Sequence, residues 1–205
     1  MSHWSQQSPV TPGTQPEQRD DNPQVSAISR FGDDVWDFSD ENKNPATGRA
    51  DKRICWSFAL PGGALFTDAR FRSLLTASKQ FVYALRWRPI DTPSYSPASL
   101  RNLFRSLKRF IAHLMGYSSP ALRFKDVLPH HCDDYLLKLS SDVNRNEKYR
   151  HAQILHMLFR YRAAMQDGLV IDPLNGDSIV RVVGKNTAPW GSKTEIIPEM
   201  SLARW

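Results

Sequence analysis

The chain has 205 residues, a net charge of +6 and a pI near 9.5, with 23% charged and 40% hydrophobic residues. That length accommodates one ordinary domain with a core of useful size, plus a tail. Two cysteines are too few for a disulfide framework or a paired metal knuckle. Without a long apolar run or a basic-then-apolar N-terminus, we expect no membrane span, no secretory signal and a cytoplasmic location.

The charge is unevenly distributed along the chain. Residues 1–50 carry four Lys or Arg against eight Asp or Glu, whereas the other 155 residues carry 23 against 13. A basic body behind an acidic leader indicates a polyanionic partner, most often nucleic acid. We therefore expect double-stranded DNA as the partner and a nucleoid-associated protein.

Three segments outside the helical body are distinguished by composition. Residues 1–30 are rich in Gln, Ser, Pro, Thr and Asp and are expected to be a disordered leader. Residues 31–66 are expected to form an irregular arm whose aromatic residues anchor it to the body, with one short strand at 54–60 that has no evident partner. Residues 186–205 are punctuated by Gly and Pro and are interpreted as a linker.

Residues 67–185 predict an all-α bundle of four to five short helices. The first helix is capped by Thr67 or Asp68 and ends near Trp87, because the residue before Pro89 is pushed out of helical geometry. The second helix covers residues 96–115.

The remaining helices follow the same periodicity. The third covers about residues 129–139 and should bury Cys132, Tyr135, Leu136 and Leu139. The fourth begins at its cap, Asn144, and stops at Gly168, with Ile154 and Tyr161 outside its core side. A short fifth helix or turn is expected over residues 179–183.

The second helix has the clearest pattern in the chain. Ser96 is a good N-cap, Pro97 suits the first helical position, and Gly116 supplies a left-handed stop. Apolar residues recur at the spacing of an amphipathic helix. Four cations fall within an arc of roughly 100° that faces away from the apolar stripe and contains no acid. This cationic strip consists of Arg101, Arg105, Lys108 and Arg109.

The fourth helix is also rich in basic residues, and its N-terminal dipole favours a phosphate. Arg and Lys with Asn or His near a helix start can also reach base edges in a major groove. For each of these residues the alternative is a solvated surface charge. The candidate DNA-contacting residues of the two helices are Arg101, Arg105, Lys108, Arg109, Arg145, Lys148, Arg150 and His151.

Patterns typical of catalysis are scarce. The run from His130 to Asp134 contains metal-ligand types, but consecutive helical residues point in different directions and no second ligand pair is present. A polar helix start is the better interpretation. The sequence has no Gly-rich phosphate loop and no serine nucleophile elbow. We therefore expect a binding module that uses no metal ion and no cofactor.

The order and spacing of the helices resemble the N-terminal core-binding (SAM-like) domain of tyrosine recombinases, the phage-type integrases. The resemblance runs over about residues 67–198, through SPASLRNLFRSLKRFIAHLMG, LRFKDVLPHHCDDYLLKL and NRNEKYRHAQILHMLFRYRAAMQDGLVIDPL to the linker-like TAPWGSKTEIIP. It implies a helical bundle that clamps one side of duplex DNA, with its second and fourth helices at the major groove. It also implies a role in DNA integration and recombination of mobile elements, with other recombinase protomers or a separate catalytic chain as partners.

The catalytic set of that family does not appear in this sequence. The family uses a Tyr nucleophile with two Arg, a Lys and a His or Trp, including a His-x-x-Arg motif in a following domain. The nearest match, His156 to Arg160, has one residue too many, and Trp205 ends the chain where that domain should begin. The resemblance therefore implies a truncated integrase, an excised domain or a relative that kept only the binding half, and none of these would cleave DNA alone.

Two other functions remain open from the sequence. The aromatic arm could serve as the docking surface of a helical protein-interaction module, which predicts no salt-dependent DNA affinity. A small independent enzyme is the weaker alternative, because the catalytic residues it would need are missing.

Overall fold

The protein is mostly helical with one small sheet. The computed structural model describes residues 22–41, 53–90, 93–142 and 144–184. The helices there are α1 (Arg72–Trp87), α2 (Pro97–Leu114), α3 (Pro129–Asp142), α4 (Arg145–Arg160) and α5 (Ile179–Val183). The strands are β1 (Val35–Asp37) and β2 (Arg53–Cys55). The all-α prediction is therefore only approximately right.

Local signals in the sequence set the start of α2. The Ser96 side chain accepts a hydrogen bond from the Ser99 backbone N–H at 3.2 Å, and Pro97 follows at the first helical position. Gly116 was expected to end the helix in a left-handed conformation, but its φ is not positive. Its N–H instead donates to the carbonyl oxygen of His113 at 3.0 Å, so the last turn tightens without a left-handed residue.

The helix α4 begins where predicted but is shorter than expected. Asn144 accepts from the Glu147 N–H at 3.0 Å, yet the helix ends at Arg160, not at Gly168. The chain then folds back so closely that a Cβ at Gly168 would lie 2.3 Å from the carbonyl oxygen of Arg162. Gly168 therefore permits a close approach and does not stop a helix.

More of α4 is buried than its sequence indicates. It contacts α2, α3 and α5, so no single apolar face accounts for its packing. Ile154 and Tyr161, expected outside the core side, are 0% and 3% exposed. The predicted core residues of α3 are all buried, namely Cys132, Tyr135, Leu136 and Leu139.

The arm supplies the partner that the predicted strand lacked. β1 and β2 pair antiparallel, with Trp36 opposite Ile54, and both side chains are fully buried. The strand is shorter than predicted and ends at Cys55. Trp56 then packs edge-on against Trp36 at 5.1 Å and against Phe104 of α2 at 4.9 Å between ring centroids. The arm and the helices therefore share one hydrophobic core.

The disordered-leader prediction is wrong for residues 22–30. Val25 is 1% exposed within the core, and the Phe31 N–H donates to the carbonyl oxygen of Pro23 at 2.9 Å. Residues 1–21 of the leader and the linker at 186–205 lie outside the described residues.

A buried lysine connects the arm to α1. Lys79 is 5% exposed, and its Nζ donates to the carbonyl oxygens of Gly32 and Asp33 at 3.0 and 2.9 Å. The same Nζ lies 5.9 Å from the ring centroid of Trp56. Burial lowers the pKa of Lys79, and the nearby carboxylates of Asp34 and Asp33 offset part of that effect.

We expect Lys79→Met to lower the free energy of unfolding by about 1–3 kcal/mol, because it keeps the aliphatic stem but removes two charge-assisted hydrogen bonds. Urea denaturation measures the loss. Arg72→Met, an exposed change on the same helix, is the control and should stay within about 0.5 kcal/mol of the parent. Equal losses in the two variants would contradict a specific role for Lys79.

Candidate nucleic-acid interface

The exposed side of α2 carries the candidate residues least engaged by the fold. Arg105 is exposed and Arg101 is half-buried, on the helix side opposite Leu100 and Leu107. Within the part of the chain that the structure describes, neither arginine makes a side-chain hydrogen bond or ion pair. Both guanidinium groups are available to an external anion.

The other two cations of the strip are already in contact with neighbouring elements. The Nζ of Lys108 lies 4.4 Å from the ring centroid of Phe58 in the arm. Arg109 approaches Glu147 of α4, with 3.4 Å between Nη1 and Oε1, so the folded strip does have an acid beside it. These side chains are 39% and 44% exposed, and a pair in that environment contributes little. The ion pair between Arg109 and Glu147 is therefore a weak one.

A polar groove separates α2 from α4. It has a volume of about 190 Å³ and is lined by Tyr95, Ser99, Asn102, Leu103, Ser106, Arg150 and Gln153. Arg150 is exposed on the α4 side of the groove, while Asn102 is exposed on the α2 side. We call Arg101, Arg105, Asn102, Arg150 and Gln153 the α2–α4 face.

Two of the predicted contacts on α4 belong to other parts of the surface. The Arg145 guanidinium donates to the carbonyl oxygen of Gly184, with Nε at 3.0 Å. Lys148 lines a separate groove of about 370 Å³ near Asp133 and Asp134, with Val182 of α5 on its wall. Residues two apart on a helix point about 160° away from each other, so Lys148 and Arg150 cannot serve one surface.

The prediction that His151 contacts DNA is inconsistent with its burial. His151 is 4% exposed, and its Nδ1 lies 2.7 Å from the hydroxyl oxygen of Tyr135. Its Nε2 lies 3.9 Å from Oε1 of Glu147. Burial and then the Arg109 charge lower the pKa of His151, against a smaller opposing effect of Glu147. The side chain is a neutral hydrogen-bonding group of the core.

The histidines at the start of α3 take part in a second polar cluster. The Leu128 N–H donates to Nδ1 of His131 at 3.1 Å, and His131 is 5% exposed. The hydroxyl of Tyr117 donates to Asp134 at 2.8 Å and lies 3.3 Å from Nε2 of His113. Burial and the Asp134 hydrogen bond raise the pKa of Tyr117 to about 12.

These side chains form neither a metal site nor a reactive thiolate. Among the residues that the structure describes, no group of three or more His, Cys, Asp or Glu could hold a metal ion. Burial and the charge of Asp133 raise the pKa of Cys132 to about 12, which keeps the thiol protonated. No helix in the described ranges has the length and apolarity needed to cross a membrane.

Comparison of the chain with protein-family models, curated proteins and solved structures found no match. The resemblance to the core-binding domain of tyrosine recombinases therefore stays a prediction.

Candidate residues chosen from the sequence by their charge do not include all of the α2–α4 face. Asn102 and Gln153 are uncharged, yet both line the groove beside Arg150. The helical angle could have found Asn102, which lies about 60° around α2 from Arg105, on the side away from Lys108. Gln153 needed the packing of α4 against α2, which no local pattern indicates.

We expect stability to fall as the pH drops from 7.5 to 5.5. The pKa values of His113, His131 and His151 all lie below the ordinary 6.5, so the unfolded chain binds more protons in this range. Each additional proton on the unfolded chain lowers the free energy of unfolding by at most about 1.4 kcal/mol per pH unit. Stability is highest above the pKa that these histidines have in the unfolded chain.

Urea denaturation of the parent and of His151→Gln at both pH values checks this expectation. The Gln amide can still form a hydrogen bond with Tyr135 but cannot take up a proton, so this variant should lose less stability on acidification than the parent. Gln166→Ala, an exposed change that removes no titratable group, should match the parent. An unchanged acid dependence in His151→Gln would contradict the assignment.

Proposed function

We propose that this chain is a DNA-binding module that lies against duplex DNA through its α2–α4 face. Its role would match that of the core-binding domain of a tyrosine recombinase in DNA integration and recombination, at the nucleoid and without cleaving DNA alone. The observation that supports it best is that three arginines have no side-chain partner among the described residues. Arg101 and Arg105 lie on the open band of α2, and Arg150 lines the groove between α2 and α4.

The geometry of a helix suits this role. An α-helix with its side chains is about 10–12 Å across, and the major groove of B-DNA is about 12 Å wide. Arginine is well matched to a phosphate because its planar guanidinium donates two parallel hydrogen bonds. With Arg101 and Arg105 one turn apart on α2, both can reach the same DNA backbone.

Three of the six tyrosines, Tyr117, Tyr135 and Tyr161, are poorly placed to cleave DNA. Phosphoryl transfer at DNA would need an accessible hydroxyl surrounded by cationic groups. Tyr135 and Tyr161 are 2% and 3% exposed. The Tyr117 hydroxyl donates to a carboxylate, Asp134, which disfavours its ionised form.

The protein-interaction alternative loses its predicted docking surface. Trp36, Phe38 and Trp56 are 0% exposed and Phe58 is 9% exposed, because the arm packs them into the core. A partner could reach these rings only by displacing the arm. The basic α2–α4 face is therefore the better candidate for the binding surface.

The test is duplex binding by fluorescence anisotropy across a salt series. We expect the parent to bind with an affinity that falls steeply with salt, since phosphate contacts release counterions. Arg101→Glu/Arg105→Glu should weaken binding at least about tenfold and reduce the slope of log K against log salt by about 2, roughly 1 for each phosphate contact.

A matched control is Arg70→Glu/Arg72→Glu, which makes the same charge change at exposed positions near the start of α1. It should change the affinity far less, and circular dichroism should show that both variants are folded. Equal weakening in both variants would show that net charge, not the α2–α4 face, carries the binding. Weak, salt-independent binding by the parent would overturn the proposal.

A further inference from the structure

The groove between α2 and α4 contains two amide side chains that phosphate binding does not need. Asn102 is exposed on α2, and Gln153 is half-buried on α4. Within the described residues, neither side chain makes a hydrogen bond. A phosphate offers only acceptors, whereas an amide presents a donor and an acceptor side by side.

Base edges in the major groove match these side chains. Adenine presents N7 as an acceptor beside its N6 amino donor, which a single Asn or Gln amide can satisfy together. Guanine presents N7 and O6, which suit the two parallel donors of an arginine such as Arg150. The groove thus places both types of base-reading group next to each other.

The angles around α2 separate these groups from the phosphate-binding arginines. Asn102 lies about 100° from Arg101 and about 60° from Arg105, on the side that faces α4. When both arginines contact a DNA backbone, Asn102 points away from that backbone and into the protein groove between α2 and α4. Arg150 and Gln153 line that groove from the opposite wall.

We propose that Asn102, Arg150 and Gln153 determine sequence specificity by binding base edges, while Arg101 and Arg105 hold the backbone. The assignment rests on the proposed DNA-binding function. The preferred site is a short major-groove step that presents adenine edges to the two amides and a guanine edge to Arg150.

The experiment selects preferred duplexes from a random-sequence pool with the full chain. Anisotropy then compares the affinity for the selected duplex with that for a scrambled duplex of the same composition. We expect Asn102→Ala and Gln153→Ala each to reduce the preference by about tenfold or more, because each removes a bidentate base contact. The slope of log K against log salt on the scrambled duplex should stay as in the parent, because neither amide contacts a phosphate.

Two controls distinguish sequence specificity from the proposed DNA-binding function on which this inference rests. Gln166→Ala, an exposed amide outside the groove, should keep the full preference. Arg101→Glu/Arg105→Glu should weaken binding to both duplexes by the same factor.

Guanine should also recur at one position of the selected duplexes. The preference for guanine at that position should be lost in Arg150→Gln.

Each outcome decides the inference. Loss of preference in the amide variants, with an unchanged salt slope on the scrambled duplex, supports it. An intact preference in both amide variants overturns it, as does a parent that binds all sequences equally, and both results leave the DNA-binding function standing. Absence of any salt-dependent binding overturns the function, and this inference with it.

Discussion

The packing of the arm against α2 determines which surface is left for a partner. Trp56 meets Phe104 edge-on at 4.9 Å, and Phe58 lies beneath the Lys108 ammonium, so the arm covers one side of the helix. The helices α3 and α4 contact α2 as well. Between these contacts the band with Arg101 and Arg105 stays open. Aromatic pairs contribute about 0.5–1.5 kcal/mol beyond their buried area, so the aromatic contacts of the arm also stabilise the side of α2 that we propose to bind DNA.

The fold distributes the cations of α4 among different environments. Lys148 lines a groove that contains two aspartates, Arg145 donates to the end of α5, and His151 is buried beside Tyr135. Only Arg150 among the predicted residues of this helix lines the groove beside α2. Counting basic residues on α4 therefore overestimates the number of phosphate contacts in the proposed DNA complex. It overestimates the salt dependence too, because the slope of log K against log salt scales at about 0.9 per contact.

Features of the fold that depend on neighbouring residues could be predicted from the sequence. Features that depend on contacts between distant residues could not. The caps Ser96 and Asn144 act within one turn, and the sequence placed both helix starts correctly. The strand partner at Trp36 and the burial of Ile154 depend on residues far along the chain. The same limit applies to the site. Arg105 follows from the period of one helix, whereas the burial of His151 and the groove position of Gln153 require knowing how α4 packs.

In the proposed DNA complex, affinity and specificity have different physical origins on the α2–α4 face. Every duplex offers Arg101 and Arg105 the same phosphates, so those contacts cannot distinguish one sequence from another. An amide pressed against a mismatched base edge loses its water and gains no partner, at a cost of about 1–3 kcal/mol. That cost grows with the water displaced on binding. Exposed Asn102 loses more water than half-buried Gln153, so discrimination should be stronger at the base pair facing α2.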